Sequence, residues 1–172
     1  MRRIHIIGGK NHGKTTLVEE LVAELTRRGF RVGTIKHTHH QHELDVPGKD
    51  SHRHREAGAA VVGILTHSTN AIFWIPRNDP QHPAPVGDDR YAQFVTAFAD
   101  CDVVIVEGDT QTNAPKYEVW RACHGVPPLA TGLTGVAAVI TDDPVDGPWR
   151  TLPRSDVTHL ADELVALDRA VS

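Results

Sequence analysis

The chain has 172 residues, enough for a single domain that buries a real core. A formal net charge of −4 argues against nucleic acid as the main partner, because holding a phosphate backbone needs a basic surplus. The 2 cysteines, Cys101 and Cys123, share no metal-ligand spacing and point to no secreted scaffold, although a bond between them stays open.

Met1-Arg2-Arg3 imitates the basic start of a signal peptide, but the apolar run behind it is short and is broken by Gly8, Gly9 and Lys10. No stretch approaches the length of a membrane span, so the expectation is a cytoplasmic protein with no membrane partner. Ile4 to Ile7 read as a buried strand that ends at the glycine pair. A helix follows from about Lys14, with Leu17, Leu21 and Leu25 on one face, charged residues on the other, and Gly29 as its stop. Phe30 to Ile35 make a second strand, and the polar, His-rich run from Lys36 to Gly48 is a loop. Asp50 or Ser51 caps a short helix through Ala57. Ala60 to Leu65 and Ala71 to Ile75 are apolar strands joined by a turn around Ser68-Thr69-Asn70.

The proline-rich run from Arg77 to Asp88 is a surface connection. Tyr91 to Ala99 suits a helix, and Val103 to Val106 is an apolar strand. Tyr117 to Trp120 is another strand, or else Lys116 to Arg121 forms a hairpin against the sheet edge. Val136 to Ile140 is a late buried strand, and Asp156 caps a final helix through Ala170. Strands interleaved with helices, several of them apolar throughout, indicate one α/β domain over residues 1–172: three layers around a mainly parallel sheet, with an antiparallel edge hairpin as an option.

Gly8-Gly9-Lys10-Asn11-His12-Gly13-Lys14-Thr15 matches the phosphate-loop pattern G-x-x-x-x-G-K-[ST], followed by Thr16. A loop that wraps a polyphosphate must turn its backbone N–H groups inward, and Gly8 and Gly13 supply the torsional freedom. Lys14 then brings a charge to the terminal phosphates, Thr15 a hydroxyl for Mg²⁺, and the new helix its positive end. The loop residues Gly8, Gly9, Asn11, His12, Gly13, Lys14, Thr15 and Thr16 are therefore the nucleotide-binding candidates. Glu107 ends an apolar strand at the edge where open α/β sheets bind ligands, and is the candidate Mg²⁺ acid. Asp142, after the last apolar strand, is placed to read guanine through its N1–H and amine.

Half of the 12 histidines fall between His37 and His54. His37/His39 and His40/His42 present ligand pairs for zinc or nickel if the backbone is extended. Lys36, Lys49, Arg53 and Arg55 with protonated histidines make an anion-binding surface instead. A solvated loop is the third reading, and Asp45 is a further candidate for the Mg²⁺ shell.

Taken in order, the phosphate loop, Ile35-Lys36-His37-Thr38-His39-His40, Asp45, Pro47-Gly48-Lys49-Asp50-Ser51, Glu56-Ala57-Gly58-Ala59, Val106-Glu107-Gly108, Pro115 to Arg121 and Thr141-Asp142 resemble the MobB family of molybdopterin-guanine dinucleotide biosynthesis adapters. The likeness runs through nearly the whole chain. It implies GTP and Mg²⁺ as ligands, a homodimer, and a partnership with the MobA-type guanylyltransferase that joins GMP to molybdopterin, with molybdopterin itself as a further candidate ligand. Carried over by motif are Gly8, Gly13, Lys14, Thr15 and Thr16 for phosphate and Mg²⁺, Glu107 for Mg²⁺, and Asp142 for the base. Lys36, His37, Lys49, Asp50 and Arg53 carry over as the family's basic motif. The chain departs from the family pattern at Asp109-Thr110, where an aromatic residue and a lysine usually follow the Glu-Gly pair. It also has Gly9 where related GTPases carry a signature lysine.

The resulting expectation is a GTP-binding adapter, at most a slow Mg²⁺-dependent GTPase, since neither a glutamine nor an arginine finger stands out to orient water or stabilise charge. The alternative is a nickel or zinc metallochaperone GTPase built on the His-rich loop. A small-molecule kinase is a third possibility, without an evident acceptor lid.

Overall fold

The computed structural model describes residues 2–38, 43–75 and 87–166. The chain divides into two compact units, residues 39–86 forming one and the flanking segments the other.

The larger unit is built on a six-stranded sheet of β1 (Arg3–Ile7), β2 (Val32–Lys36), β5 (Val103–Glu107), β6 (Lys116–Val119), β7 (Val136–Ile140) and β8 (Thr151–Leu152). The spatial order is β2-β5-β1-β6-β7-β8, and every neighbouring pair is parallel. Side chains alternate across β1 and β5. Ile4, Ile6, Val103 and Ile105 pack on one face with α1 (Lys14–Arg27) and α3 (Val157–Ala166). Val104 and Val106 pack on the other with Ile35, Tyr91, Phe94 and Phe98. This is the three-layer α/β arrangement that the sequence pattern predicts.

α1 buries Leu17, Leu21 and Leu25 completely, as their four-residue spacing requires. It stops at Gly29 (φ 88°), where Gly29 N donates to Thr26 O and Phe30 N to Leu25 O, the paired closure of a left-handed C-terminal cap. At α3, Asp156 accepts from His159 N at 2.9 Å and is the expected cap; the end of that helix at Ala170 lies outside the described residues.

Two expectations need correction. Tyr91 to Ala99 is not an α-helix: a 3-10 helix spans Gly87–Phe94 and turns follow. Lys116 to Arg121 is not an edge hairpin, because β6 is an interior parallel strand between β1 and β7. The antiparallel pair lies elsewhere, in β3 (Val61–Ile64) and β4 (Ala71–Trp74), which form a separate two-stranded sheet in the smaller unit. β8 is too short to be read from sequence, and Cys101 and Cys123 are free thiols.

In the smaller unit, α2 (Asp50–Glu56) follows Lys49, which occupies the cap position without a side-chain bond. Ser51 does not cap the helix; its hydroxyl donates to Asp45 Oδ1 at 2.9 Å. Arg55 donates to Glu43 Oε1 at 2.6 Å and lies over the Phe73 ring. The turn between β3 and β4 is tied by Thr66, whose hydroxyl accepts from Thr69 N at 2.8 Å. One face of this hairpin is open, with Val61 and Ile72 each 60% exposed. The run 76–86, which carries most of the proline-rich connection, lies outside the described residues.

Candidate functional site

The strand β1 delivers the loop Gly8–Gly13 to the carboxyl edge of the sheet, where α1 takes over. Gly8 has φ 144°, and a Cβ there would stand 2.3 Å from the Val119 carbonyl oxygen. Gly13 occupies the N-cap of α1 with φ 92°. Between them Asn11 has φ 65°, a left-handed conformation that asparagine tolerates better than most residues. Lys14 folds back along the loop and donates from Nζ to Gly9 O at 2.6 Å and Gly8 O at 3.0 Å. Burial holds its ammonium below the usual lysine range, against the opposing pull of Glu107. A cleft of about 340 Å³ opens here, lined by Asn11, Gly13, Lys14, Thr15, Thr16 and Arg121.

Thr15 also borders a second cleft of about 200 Å³, shared with Thr34, Lys36 and Glu107 among others. Glu107 ends β5, between β1 and β2, and is 6% exposed. Its Oε1 accepts the Thr15 hydroxyl at 2.9 Å and the Lys36 ammonium from the end of β2. His37 N donates to the Glu107 carbonyl at 2.8 Å. A Cβ on Gly108 would lie 2.7 Å from His37 O, so this turn admits only glycine without rearrangement. The donor types suit Mg²⁺: the Thr15 hydroxyl and the Glu107 carboxylate are oxygen ligands of the kind it takes, held side by side by their hydrogen bond.

On the opposite side of β1, β6 leads into Trp120 and Arg121. The Arg121 backbone N donates to His12 Nδ1 at 3.0 Å. His124 packs its ring 4.5 Å from that of His12 and places Nε2 3.1 Å from Asn11 O. Burial, followed by the neighbouring His124, Lys14 and Arg121, pushes the His12 imidazole below its ordinary pKa. A Cβ on Gly9 would meet the His12 ring at 2.7 Å. Neither Arg121 nor His124 was among the residues singled out from sequence as ligands. Their signal was positional, since they follow a strand at the ligand-binding edge of an open sheet.

Past β7, Asp142 Oδ1 accepts from Ser155 N and Ser155 Oγ, both at 3.0 Å, and these bonds hold its carboxyl below the usual range. Asp143 Oδ2 accepts from Ala122 N at 2.8 Å, linking this turn to the end of β6.

The larger unit thus brings Gly8–Thr16, Lys36, His37 and Glu107 together, with Asp142 two strands away on the same edge. Asp45, Lys49, Asp50 and Arg53 belong to the smaller unit. There Asp45 is buried, bonded to Ser51 and to Val46 N, with Arg55 3.9 Å away. Arg53 faces Asp50 at 3.8 Å on the exposed side of α2. Among the described residues no group of three or more His, Cys, Asp or Glu side chains is placed to hold a metal; His39, His40 and His42 lie outside those residues.

Beyond Glu107, the Asp109 carboxylate is fully buried. It accepts from Tyr91 Oη at 2.6 Å and from Gln111 N at 2.9 Å, pairs with Arg90, and stands 3.8 Å from His5 Nδ1. Burial opposes ionisation, but the bonds from Arg90, Tyr91 and Gln111 N prevail and hold its pKa at about 2.

The family model described as "MobB: Molybdopterin guanine dinucleotide synthesis protein B" matches residues 3–142, from the start of β1 to the turn after β7. The chain belongs to the MobB family. It is 34% identical over 157 residues to the molybdopterin-guanine dinucleotide biosynthesis adapter protein of Escherichia coli, covering 89% of this chain and 85% of that one. The adapter protein of the same description from Haemophilus influenzae is 36% identical over 157 residues, with coverage of 91% and 84%. Among solved structures, a MobB homolog from Bacillus stearothermophilus superposes with a TM-score of 0.65 at 25% identity, covering 96% of this chain and 99% of the other. MobB membership thus agrees with the resemblance read from the sequence and with the α/β phosphate-loop fold.

Proposed function

We propose that this MobB-family protein binds GTP·Mg²⁺ through its phosphate loop and acts as a cytoplasmic adapter in molybdopterin guanine dinucleotide synthesis, assisting the guanylyltransferase of that pathway. One observation carries the nucleotide reading: the Thr15 hydroxyl and the Glu107 carboxylate meet 2.9 Å apart beside a glycine loop that Lys14 straps. In this reading Gly8–Thr16 cradle the phosphates, and Thr15 and Glu107 hold Mg²⁺, which neutralises phosphate charge when bound. Asp142 gives the preference for guanine, and the protein is a homodimer, for which the exposed Val61, Leu65, Ile72 and Ile75 of the smaller unit supply apolar surface. The adapter role rests on family membership and on the names of the E. coli and H. influenzae relatives. Hydrolysis, where it occurs, is slow.

Calorimetry with GTP and ATP in Mg²⁺ tests the reading. Wild type should bind GTP more tightly than ATP. Lys14→Ala should weaken GTP by about 100-fold, since a charge-assisted contact is worth roughly 2–3 kcal/mol. Asp142→Ala should remove the preference for GTP while leaving ATP unchanged. Failure of wild type to bind either nucleotide would reject the proposal.

A further inference from the structure

The strand order sets the candidate ligands in a row that the chain order hides. Along the carboxyl edge run Lys36 at the end of β2, Glu107 at the end of β5, the phosphate loop after β1, Arg121 after β6 and Asp142 after β7. The proposed Mg²⁺ group, Thr15 with Glu107, lies on the β5 side of the loop, and Arg121 lies on the β6 side, toward Asp142. A nucleotide stretched from Glu107 to Asp142 must pass Arg121 between its terminal phosphate and its base.

Three facts make Arg121 more than a neighbour. Its guanidinium lies against the N-cap of α1: a Cβ on Gly13 would meet Nη2 at 2.9 Å and Cζ at 3.3 Å. It lines the cleft together with Lys14, Thr15 and Thr16. Its backbone is bonded on one side to His12 in the loop and, through Ala122 N, on the other to Asp143. The charge itself is uncommitted. Lys14 is engaged with Gly8 and Gly9, and Lys36 with Glu107, whereas among the described residues the Arg121 guanidinium has neither a carboxylate nor a carbonyl partner. An exposed cation with a fixed backbone, spread across a helix N-terminus, is matched in geometry to a phosphate group, because the planar fork of arginine meets two phosphate oxygens at once.

We propose that Arg121 is a nucleotide-binding residue that clamps the phosphates nearest the sugar, the part common to nucleoside di- and triphosphates. This rests on the nucleotide reading above and assigns a residue to it. Because Arg121 stands on the far side of the loop from Glu107, its contribution does not depend on the terminal phosphate.

The test is titration of GDP and GTP, each with Mg²⁺, into wild type, Arg121→Ala, Arg121→Lys and Lys14→Ala. Arg121→Ala should weaken both nucleotides by the same factor, about tenfold or more. Arg121→Lys should recover part of that loss, since it keeps the charge but not the fork. The melting temperatures of both Arg121 variants should stay near the wild-type value, because among the described residues the guanidinium has no carboxylate or carbonyl partner to lose. Wild-type affinity in Arg121→Ala, with binding weakened in Lys14→Ala, would overturn the clamp and leave the nucleotide reading standing. A loss confined to GTP would also overturn it, by moving the arginine to the terminal phosphate. Should the alanine variant unfold, Arg121→Lys decides alone: an equal partial loss for GDP and GTP supports the clamp, and unchanged affinity for both overturns it. Absence of binding in wild type would instead remove the nucleotide reading itself.

Discussion

At Gly8 the geometric demand comes from main chain rather than from a movable side chain. The residue's φ of 144° and the Val119 oxygen 2.3 Å from a Cβ position leave no room for even a methyl group. Gly8→Ala should therefore cost about 2–4 kcal/mol, combining backbone strain with a clash against main chain. A urea denaturation curve reads this directly, and an unchanged midpoint would contradict the close approach. Gly8, Gly13, Lys14 and Thr15 were legible in the sequence because a local spacing encodes them: the loop is continuous chain, and its pattern is its structure. Arg121 was visible only as one letter of a family stretch. It reaches Gly13 because β6 pairs beside β1, with Ile6 opposite Tyr117, and no local spacing carries that pairing. His12 is similar, being legible as a loop residue while its bond to the Arg121 backbone was not.

At the scale of elements, β5 and the turn after it carry the most consequence. The apolar run Val103 to Val106 was readable as a buried strand, and Glu107 as its terminal acid. The departure at Asp109 is visible in the sequence, but its meaning is not, because its partners Arg90 and Tyr91 belong to the 3-10 helix Gly87–Phe94. The spacing there predicts an α-helix for a physical reason. Tyr91, Phe94 and Phe98 face the sheet in the observed structure, and apolar residues three to four apart satisfy either helix type. Asp109→Asn would leave Arg90 without its counter-charge and should destabilise by about 3–5 kcal/mol; Tyr91→Phe should cost about 1 kcal/mol. The pH dependence has a definite sign. With the folded pKa at about 2 and an unfolded value of about 3.9, the unfolded chain binds the extra proton between them. The contribution, about 2–3 kcal/mol, is complete above pH ~4 and disappears as pH falls toward 2. Thermal melts of wild type and Asp109→Asn should accordingly converge on acidification, and a constant gap would refute this.

For the whole molecule, the two units differ in how much they bury. Every residue of β5 is buried, whereas β3 buries only Val62 of its four residues and one face of its hairpin is open. Native-state amide exchange, at a concentration where sedimentation shows a single chain, should find β3–β4 amides at least about 100-fold less protected than those of β1 and β5. Equal protection would mean that one cooperative transition spans both units. The fold class was legible because alternating strands and helices allow few architectures. The strand order was not, since placing β5 between β2 and β1 depends on contacts far apart in sequence. That order also bears on how the protein is made. Arg3 pairs with Val104, and β1 has no strand partner until β5 and β6 exist. A ribosome adding roughly 5–20 residues per second leaves the nascent phosphate loop without its sheet for roughly 5–20 s. The phosphate loop is thus translated well before the strands that hold it, and a nucleotide can act on folding only after β5 and β6 have been made.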